Sequence, residues 1–377
     1  MKETLTAGDV VRLLDELAPP ALALPNDKIG LQVGRLDKPV TRVWVALEAS
    51  PDVVAAAVEN DVQLILTHHA LLFRPISVLD TKTRRGRAIQ QLLAADITVY
   101  SAHTNLDVAP GGVNDVIAEK IGLTDVELLD VTYRETLHKL VVYVPVSHLA
   151  SLRKTIGDAG AGAIGNYSHC TFAAPGTGTF LPGDKTSPFI GTPGVLEQVE
   201  EARLETIVPD SRLDHVLAAM LAAHPYEEVA YDLYAVEQPG PAYGIGRVGN
   251  LPAGMTLAQF ANHIRETFGL RHIRYAGDDD LRVERVAVLG GSGSKWAAKS
   301  LAKGAQVLVT ADVGHHDAGD AWQDGLAIVD ATHAALEQPV CEVLADRLQK
   351  MADARTGTPG AVEIVAAPLD VDPFRWT

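Results

Sequence analysis

Histidines and carboxylates gather in four short stretches of the sequence. These stretches hold the groups His68 and His69, His103 and Asp107, Asp312 with His315 and His316, and His333 with Glu337. Imidazole and carboxylate are ligands that zinc, iron, manganese and nickel all accept, and the set contains no thiolate. The residue types therefore predict a divalent-metal site built without cysteine.

Each of the four groups follows a run of residues that is predicted to be a strand. The runs are 62–66, 97–101, 306–310 and 326–329. Such β-branched runs alternate with Ala- and Leu-rich helical stretches, which is typical of an α/β sheet with crossovers. Ligands of open α/β sheets bind at the carboxyl ends of the strands, so the four groups are expected at such an edge. The pair His68 and His69, Asp107, and the pair His333 and Glu337 offer five ligands, more than the four of a closed structural zinc site, which favours two metal ions.

Local geometry leaves two questions open within these groups. Adjacent side chains on a regular strand point to opposite faces, so His68 and His69 converge only if the strand has ended before them. His333 and Glu337 have the i, i+4 spacing that would align them on a helix. Pro339 favours a different interpretation, a loop that carries both residues into a helix beginning near the proline.

The middle of the chain has a different pattern. Predicted strands near 140–146 and 229–235 flank two helical stretches, 149–159 and 213–223, and a Gly/Pro-rich segment. This β-α-β…β-α-β order is typical of a ferredoxin-like α+β module. The fold class predicted is α/β: a two-lobed α/β domain interrupted by an inserted α+β domain. The outer domain is placed at 1–133 and 239–377, and the insert at 134–238.

Composition excludes several classes of protein. The chain has 377 residues, 47% hydrophobic and 21% charged, which is typical of a globular protein and excludes disorder of the whole chain. A net charge of −16 argues against bulk nucleic-acid binding, which needs Lys and Arg to neutralise phosphates. Two cysteines exclude a disulfide scaffold. The first ten residues lack a signal-peptide core and no run reaches membrane-span length, so a cytoplasmic location without membrane partners is expected.

Two further stretches hint at a small anionic ligand. Lys82, Arg84, Arg85 and Arg87 form a basic run in an acidic chain, although such a run is usually a solvated helix face. The stretch Gly290–Ser294 follows a strand and precedes a predicted helix at 294–303, where backbone N–H groups can hold a phosphate. Its spacing matches neither a P-loop nor a dinucleotide fingerprint.

Several sequence strings together resemble one family over nearly the whole chain. They are Gly30-Leu31-Gln32-Val33-Gly34, Leu66-Thr67-His68-His69, His103-Thr104-Asn105-Leu106-Asp107 and His333-x-x-x-Glu337. They resemble the NIF-three-like dinuclear-metal-centre family, whose members are often called GTP cyclohydrolase I type 2 homologues. The middle segment is similar to the PII/CutA-like insert of the longer members, through Gly165-Asn166-Tyr167, Gly176-Thr177-Gly178-Thr179-Phe180 and His224-Pro225-Tyr226-Glu227-Glu228-Val229-Ala230.

The resemblance implies a ligand set and an assembly. The ligands of two divalent ions would be His68, His69, Asp107, His333 and Glu337, with Glu337 as the bridge. The identity of the metal stays open among zinc, iron, manganese and nickel. The assembly implied is a toroidal homohexamer whose metal sites face an internal cavity.

Two departures from the family pattern affect loops rather than ligands. Residues Asn26-Asp27-Lys28 stand where the family reads aromatic, Asp, Asn, and Ala311 stands where glycine is usual.

The function predicted is metal-dependent hydrolysis of a nucleotide-like or small anionic substrate. Candidates for acid–base catalysis or for orienting ligands are the polar residues left over: His103, Asp312, His315 and His316. The alternative is a metal-binding regulatory or metal-delivery protein without turnover.

Overall fold

The computed structural model describes residues 4–369 and 372–375. It divides the chain into two compact units. The first unit comprises Met1–Tyr133 and Tyr243–Thr377, and the second comprises Arg134–Ala242. The first unit is therefore discontinuous in sequence.

The amino-terminal part of the first unit alternates helices with short strands. In chain order these are α1 (Ala7–Leu17), β1 (Gly30–Val33), β2 (Arg42–Ala46), α2 (Pro51–Glu59), β3 (Leu64–Thr67), α3 (Arg84–Ala94), β4 (Thr98–Ser101), α4 (Thr104–Val108), α5 (Val113–Ile121) and β5 (Thr124–Arg134). Helix α1 begins with the capping box that its sequence indicates. The Thr6 hydroxyl accepts from the Asp9 N–H, and the Asp9 carboxylate accepts from the Thr6 N–H.

The second unit contains long strands and two helices. Its elements are β6 (Leu137–Pro145), α6 (Leu149–Asp158), β7 (Thr171–Phe180), β8 (Glu197–Pro209), α7 (Leu213–Ala223) and β9 (Tyr231–Val236). The strands form an antiparallel sheet in the order β7-β8-β6-β9. Both helices cover it, and Leu140, Leu152, Ile156, Leu204 and Met220 are the centre of its core.

The chain returns to the first unit through a long strand. The elements that follow are β10 (Ala242–Thr256), α8 (Leu257–Thr267), β11 (Arg274–Ala276), β12 (Arg282–Ser292), α9 (Ala297–Ala302), β13 (Val307–Ala311), α10 (His315–Gln323), β14 (Ala327–Asp330), α11 (His333–Glu337), α12 (Pro339–Thr356) and β15 (Glu363–Ala366).

Two sheets form the framework of the first unit. One has the order β1-β4-β3-β2-β15, and its four strands from β4 to β15 are parallel. The other has the order β11-β14-β13-β12-β10-β5, with β12, β13 and β14 parallel. The parallel strands are buried on both faces, as crossovers require: Val43 and Val45 face the large core, while Trp44 and Ala46 face a second one under α2 and α3.

The large core contains residues of both sheets of the first unit. Val43 and Val45 of β2 share it with Val286 and Val288 of β12, and with the buried faces of α1, α5, α8 and α12. Side chains at the ends of these strands are therefore held by one close-packed interior. The predicted α/β class, with several sheets, is confirmed.

One local prediction is wrong. Residues His333–Glu337 form a helical turn rather than a loop, because Gln338 is helical and Pro339 occupies the first position of α12, where its missing N–H costs nothing. The predicted helix at 294–303 is present as a 3₁₀ turn, Ser294–Trp296, followed directly by α9. No helix of the described residues is long and apolar enough to cross a membrane.

Candidate metal centre

Strand β3 delivers two adjacent histidines to the edge of its sheet. The strand ends at Thr67, and the next two N–H groups both donate towards the end of β2: His68 to the Ala46 carbonyl at 3.1 Å and His69 to the Leu47 carbonyl at 2.8 Å. The centroids of the two imidazole rings are nevertheless only 5.1 Å apart. The chain thus leaves strand geometry where both rings can reach one site.

Helix α4, after the neighbouring strand β4, contributes His103 and Asp107. Asp27 fixes this helix: its carboxylate accepts the Thr104 N–H at 2.9 Å and also binds His103 Nδ1 at 2.8 Å. Asn114 donates to the Asp107 carbonyl at 2.9 Å and accepts the Gly290 N–H at 3.0 Å. Helix α4 is therefore tied to both sheets of the first unit.

Helix α11, after strand β14, contributes His333 and Glu337. Their i, i+4 spacing brings His333 Nε2 to 3.0 Å from Glu337 Oε2. Gly291, with φ +66°, makes room for them, since a Cβ there would lie 2.7 Å from Glu337 Oε1. The glycine-rich end of β12 thus accommodates these side chains.

One carboxylate oxygen lies at the centre of the cluster. Glu337 Oε2 is 2.9 Å from His69 Nε2 and 3.7 Å from His68 Nε2. Together with the contact to His333, this oxygen faces three imidazoles that come from both sheets. Glu337 itself is 3% exposed, so water does not screen these contacts.

Two buried polar atoms in the cluster have no hydrogen-bond partner among the described residues. They are His68 Nε2 and Asp107 Oδ1, which lie 3.6 Å apart. His68 Nδ1 lies 3.1 Å from the Ala102 carbonyl, so this nitrogen carries the proton and Nε2 presents a lone pair. A buried lone pair and a buried carboxylate oxygen left unsatisfied are costly unless a cation sits between them, so the residues present fit a metal ion.

Three overlapping groups of side chains could hold a metal ion. They are His68 with His69 and His103, His69 with His333 and Glu337, and His68 with Asp107 and Glu337. Within each group the potential ligand atoms lie within 4.8 Å of one another. His68, His69 and Glu337 each belong to two of the three groups.

Burial and the nearby carboxylates shift the pKa values of the cluster in opposite directions. Burial lowers the pKa of His68 to about 3, which keeps the ring neutral and able to ligate. Burial alone would lower the pKa of His69, but hydrogen bonds to Glu337 and Glu48 raise it to about 9. Burial and the nearby Glu337 carboxylate raise the pKa of Asp107 to about 7. Although burial would raise the pKa of Glu337, the surrounding histidines hold it well below its usual range.

His333 is oriented by an outer carboxylate. Its Nδ1 lies 2.7 Å from Asp312 Oδ2. Burial would lower the pKa of His333, but the contacts with Glu337 and Asp312 raise it to about 9. Asp312, a candidate from the sequence, thus acts on a neighbouring ring and is in none of the three groups.

The sequence candidates separate into those that meet and those that do not. His68, His69, Asp107, His333 and Glu337 come together, and His103 joins them. His315 and His316 lie exposed in the first turn of α10 and are in none of the three groups.

The basic run lies elsewhere on the surface. Its side chains are exposed around the start of α3, where Arg84 pairs with Asp52 and Arg87 donates to the Lys82 carbonyl. This arrangement matches the solvated-face interpretation of the run.

Three contributors to the site were missed from the sequence. Asn114 and Gly291 act through contacts with residues far away in the chain, which their local sequence does not show. Asp27 had a usable signal, because it is the one position of Asn26-Asp27-Lys28 that keeps the family's residue.

The fold and the cluster define an α/β protein with histidine–carboxylate groups that could bind a metal ion. A family model for Duf34/NIF3 (NGG1p interacting factor 3) matches residues 5–373. The chain belongs to this family.

Relatives support this assignment over the full length. The chain is 45% identical over 368 residues to a protein of Halalkalibacterium halodurans named "GTP cyclohydrolase 1 type 2 homolog", covering 97% of this chain and 98% of that one. A Bacillus subtilis protein of the same name is 44% identical, with 100% of each chain covered. The crystal structure of a Bacillus cereus protein related to NIF3 matches with a TM-score of 0.93 at 43% identity, also over 100% of each chain.

Proposed function

We propose that this protein is a dinuclear metal-dependent hydrolase of a nucleotide-like or other small anionic substrate. The residues that would hold two divalent ions are His68, His69, Asp107, His333 and Glu337. The observation that carries the proposal is the pair of orphaned atoms, His68 Nε2 and Asp107 Oδ1, beside a carboxylate that three histidines share.

The position of Glu337 supports its role as the bridge. Its Oε2 faces His69 and His333 on one side and His68 on the other, and it belongs to two of the three groups. Carboxylates can share their oxygens between two ions, whereas an imidazole nitrogen serves one. His103 borders the same space and is proposed to hold or pass a proton there, with Asp27 fixing its ring.

Two divalent ions held by these residues would lower the pKa of a bound water and would polarise a carbonyl or phosphoryl oxygen. The chain's own residues supply the rest. Asp312 holds His333 in one ring orientation, and the Ala102 carbonyl does the same for His68. Both fix the tautomer that presents Nε2 to the site.

A cavity beside the cluster suits the substrate class. It has a volume of about 470 Å³, and the cluster residues His69 and His333 lie on its wall. Its other charged lining residues are Arg274, Arg375, Glu48, Asp312, Asp330 and Asp372. Asp330 is paired with Arg274, at 3.0 Å from Nε. Two bound divalent ions would offset the excess of carboxylates and, with Arg375, would favour an anionic group on the ligand.

The relatives' name makes GTP the first compound to test. Metal-loaded protein would be assayed with GTP, then with other nucleotides and phosphate esters. We expect hydrolysis that a chelator abolishes and the metal restores. The variants His69→Ala and Glu337→Gln are expected to lose this hydrolytic activity. His215→Ala changes an exposed residue of the second unit and is expected to keep the activity. Fully loaded protein that turns over none of these compounds would contradict the hydrolase.

We also propose that six chains assemble as a toroidal homohexamer, as the family resemblance implies. Sedimentation equilibrium of the full chain is expected to give six times the 40.1 kDa chain mass. A monomer or dimer at all concentrations would contradict this assembly.

A further inference from the structure

The second unit contains a cavity that the metal cluster does not use. Its volume is about 620 Å³, and every residue that lines it belongs to Arg134–Ala242. Pockets for small molecules in proteins span roughly 300–1,000 Å³. The cavity is therefore large enough for a ligand of its own.

Aromatic rings form much of its wall. The centroid of Tyr226 lies 6.0 Å from that of Phe180 and 6.3 Å from that of Phe189. His224 holds the segment that carries Tyr226: its Nε2 donates to the Tyr143 carbonyl at 3.0 Å and its Nδ1 accepts the Tyr226 N–H at 3.1 Å. Tyr226 thus neighbours both phenylalanine rings, and all three rings line the cavity.

A buried carboxylate lies among these rings. Glu201 is 8% exposed, and its Oε1 accepts the Tyr226 hydroxyl at 2.8 Å. Its Oε2 has no hydrogen-bond or ion-pair partner among the described residues. Gly178 leaves room for that oxygen, since a Cβ there would lie 2.1 Å from it. Most of the Glu201 side chain is shielded from water, so its negative charge attracts a cation in the cavity more strongly than an exposed carboxylate would.

The other charged residues that line the cavity also favour a positively charged ligand. Glu227 and Glu228 add two carboxylates. Arg203 is the cation of the lining, and its Nε is bound to Glu205 at 2.9 Å. An anionic ligand would meet net repulsion here. A bare metal ion does not fit either, because none of the three metal-ligating groups found among the described residues lies in this unit.

We propose that this cavity binds a small organic ammonium ion, a primary amine carried on an aromatic or branched aliphatic body. The ammonium group pairs with Glu201 Oε2 and lies against the faces of Phe180, Phe189 and Tyr226, which attract cations through their quadrupoles. The apolar body fills the remaining space. Nothing in this arrangement involves the metal ligands, so the second unit carries a separate ligand site.

The experiment compares two probes of nearly one shape on the full-length, metal-loaded chain. They are 2-phenylethylammonium and neutral 2-phenylethanol, titrated by calorimetry. We expect the ammonium ion to bind at least about tenfold more tightly than the alcohol. Equal affinity of the ammonium ion and the alcohol, or no saturable binding of the ammonium ion, would overturn the proposal.

A matched pair of variants locates the charge. Glu201→Gln keeps an acceptor for the Tyr226 hydroxyl and removes the charge, so the advantage of the ammonium ion over the alcohol is expected to disappear. Glu200→Gln makes the same change one residue earlier on β8, at an exposed position facing the other side of the strand, and is expected to leave that advantage intact. The proposal fails if Glu201→Gln prefers the ammonium ion over the alcohol as strongly as the unchanged chain does. It also fails if both variants lose that preference to the same extent.

A second variant covers the case in which Glu201→Gln does not fold. Phe189→Leu keeps an apolar side chain at a half-exposed position and removes a ring face. This substitution is expected to lower the affinity for the ammonium ion several-fold more than the affinity for the alcohol. An equal loss for both probes would show that the rings contribute only apolar surface, against the proposal.

Discussion

At the scale of single residues, three histidine rings of the cluster are oriented by hydrogen-bond acceptors on the side away from the site. His68 is backed by the Ala102 carbonyl, His103 by Asp27 and His333 by Asp312. Each backing group accepts from Nδ1 and so turns Nε2 towards the site. Outer partners of this kind fix the tautomer and raise the basicity of the ligating nitrogen.

Removing one backing charge tests this arrangement. In Asp312→Asn the His333 ring loses its anionic partner while the cluster keeps all its proposed ligands. We expect metal affinity to fall by about 10- to 100-fold, measured by competition with a chromophoric chelator. Asp320→Asn, an exposed change on α10, serves as the control and is expected to bind as tightly as the unchanged chain. Equal affinity of both variants would remove Asp312 from the site.

The raised pKa values predict how metal binding depends on pH. Without metal, His69 and His333 have pKa values raised to about 9, so both rings carry a proton at neutral pH that a metal must displace. Metal affinity is therefore expected to rise with pH and to become constant above about pH 9. The number of protons released on metal binding is expected to fall towards zero over the same range. Calorimetry in buffers of different ionisation enthalpy measures that release. Affinity that does not change between about pH 6 and about pH 9 would contradict the protonated rings.

At the scale of elements, short segments just beyond the strands hold the chemistry. Helices α4 and α11 are one turn long each and present Asp107 and Glu337 from opposite sheets of the first unit. Neither would be stable alone, since isolated helices of this length do not form. Their positions come from caps and close packing, with Asp27 on one and Gly291 beside the other.

Gly291 provides a test at this scale. In Gly291→Ala the new Cβ would press on Glu337 Oε1, so we expect metal affinity to drop at least about tenfold. Gly304→Ala is the matched control: φ there is +77°, and its Cβ would meet nothing closer than 3.7 Å. That control carries the strain of a left-handed residue, about 1 kcal/mol in thermal unfolding, and is expected to bind metal normally. Full metal affinity in Gly291→Ala would contradict the role given to this glycine.

The same elements show what the sequence can and cannot predict. Strand runs and the polar groups just after them follow from periodicity, and the sheet-edge rule places each group at the carboxyl end of its own strand. His68 and Glu337 follow strands of two different sheets, so their convergence depends on the packing of both sheets around one core, which the sequence does not show. The contact between Asp27 and His103 spans 76 residues and is not encoded in any local spacing. The helical turn at His333–Glu337 was missed because a proline's effect on the preceding residue is a preference, which packing overrode at Gln338.

At the scale of the whole molecule, the chain combines a histidine–carboxylate cluster with a cavity of different chemistry. The cluster lies in the first unit, and the cavity around Glu201 lies in the second. In the first unit, a core shared by β2 and β12 brings the ends of strands from both sheets together. Side chains separated by 268 residues, His69 and Glu337, meet there at 2.9 Å.

The central claim is that the histidine–carboxylate cluster of the first unit holds two metal ions per chain. The most direct measurement is elemental mass spectrometry on protein purified without an affinity tag, with His69→Ala and Glu337→Ala prepared alongside. The account predicts about two divalent ions per chain in the unchanged protein and loss of both in Glu337→Ala, because that carboxylate is shared. Near-zero metal that reconstitution cannot restore, or full occupancy in Glu337→Ala, would contradict it.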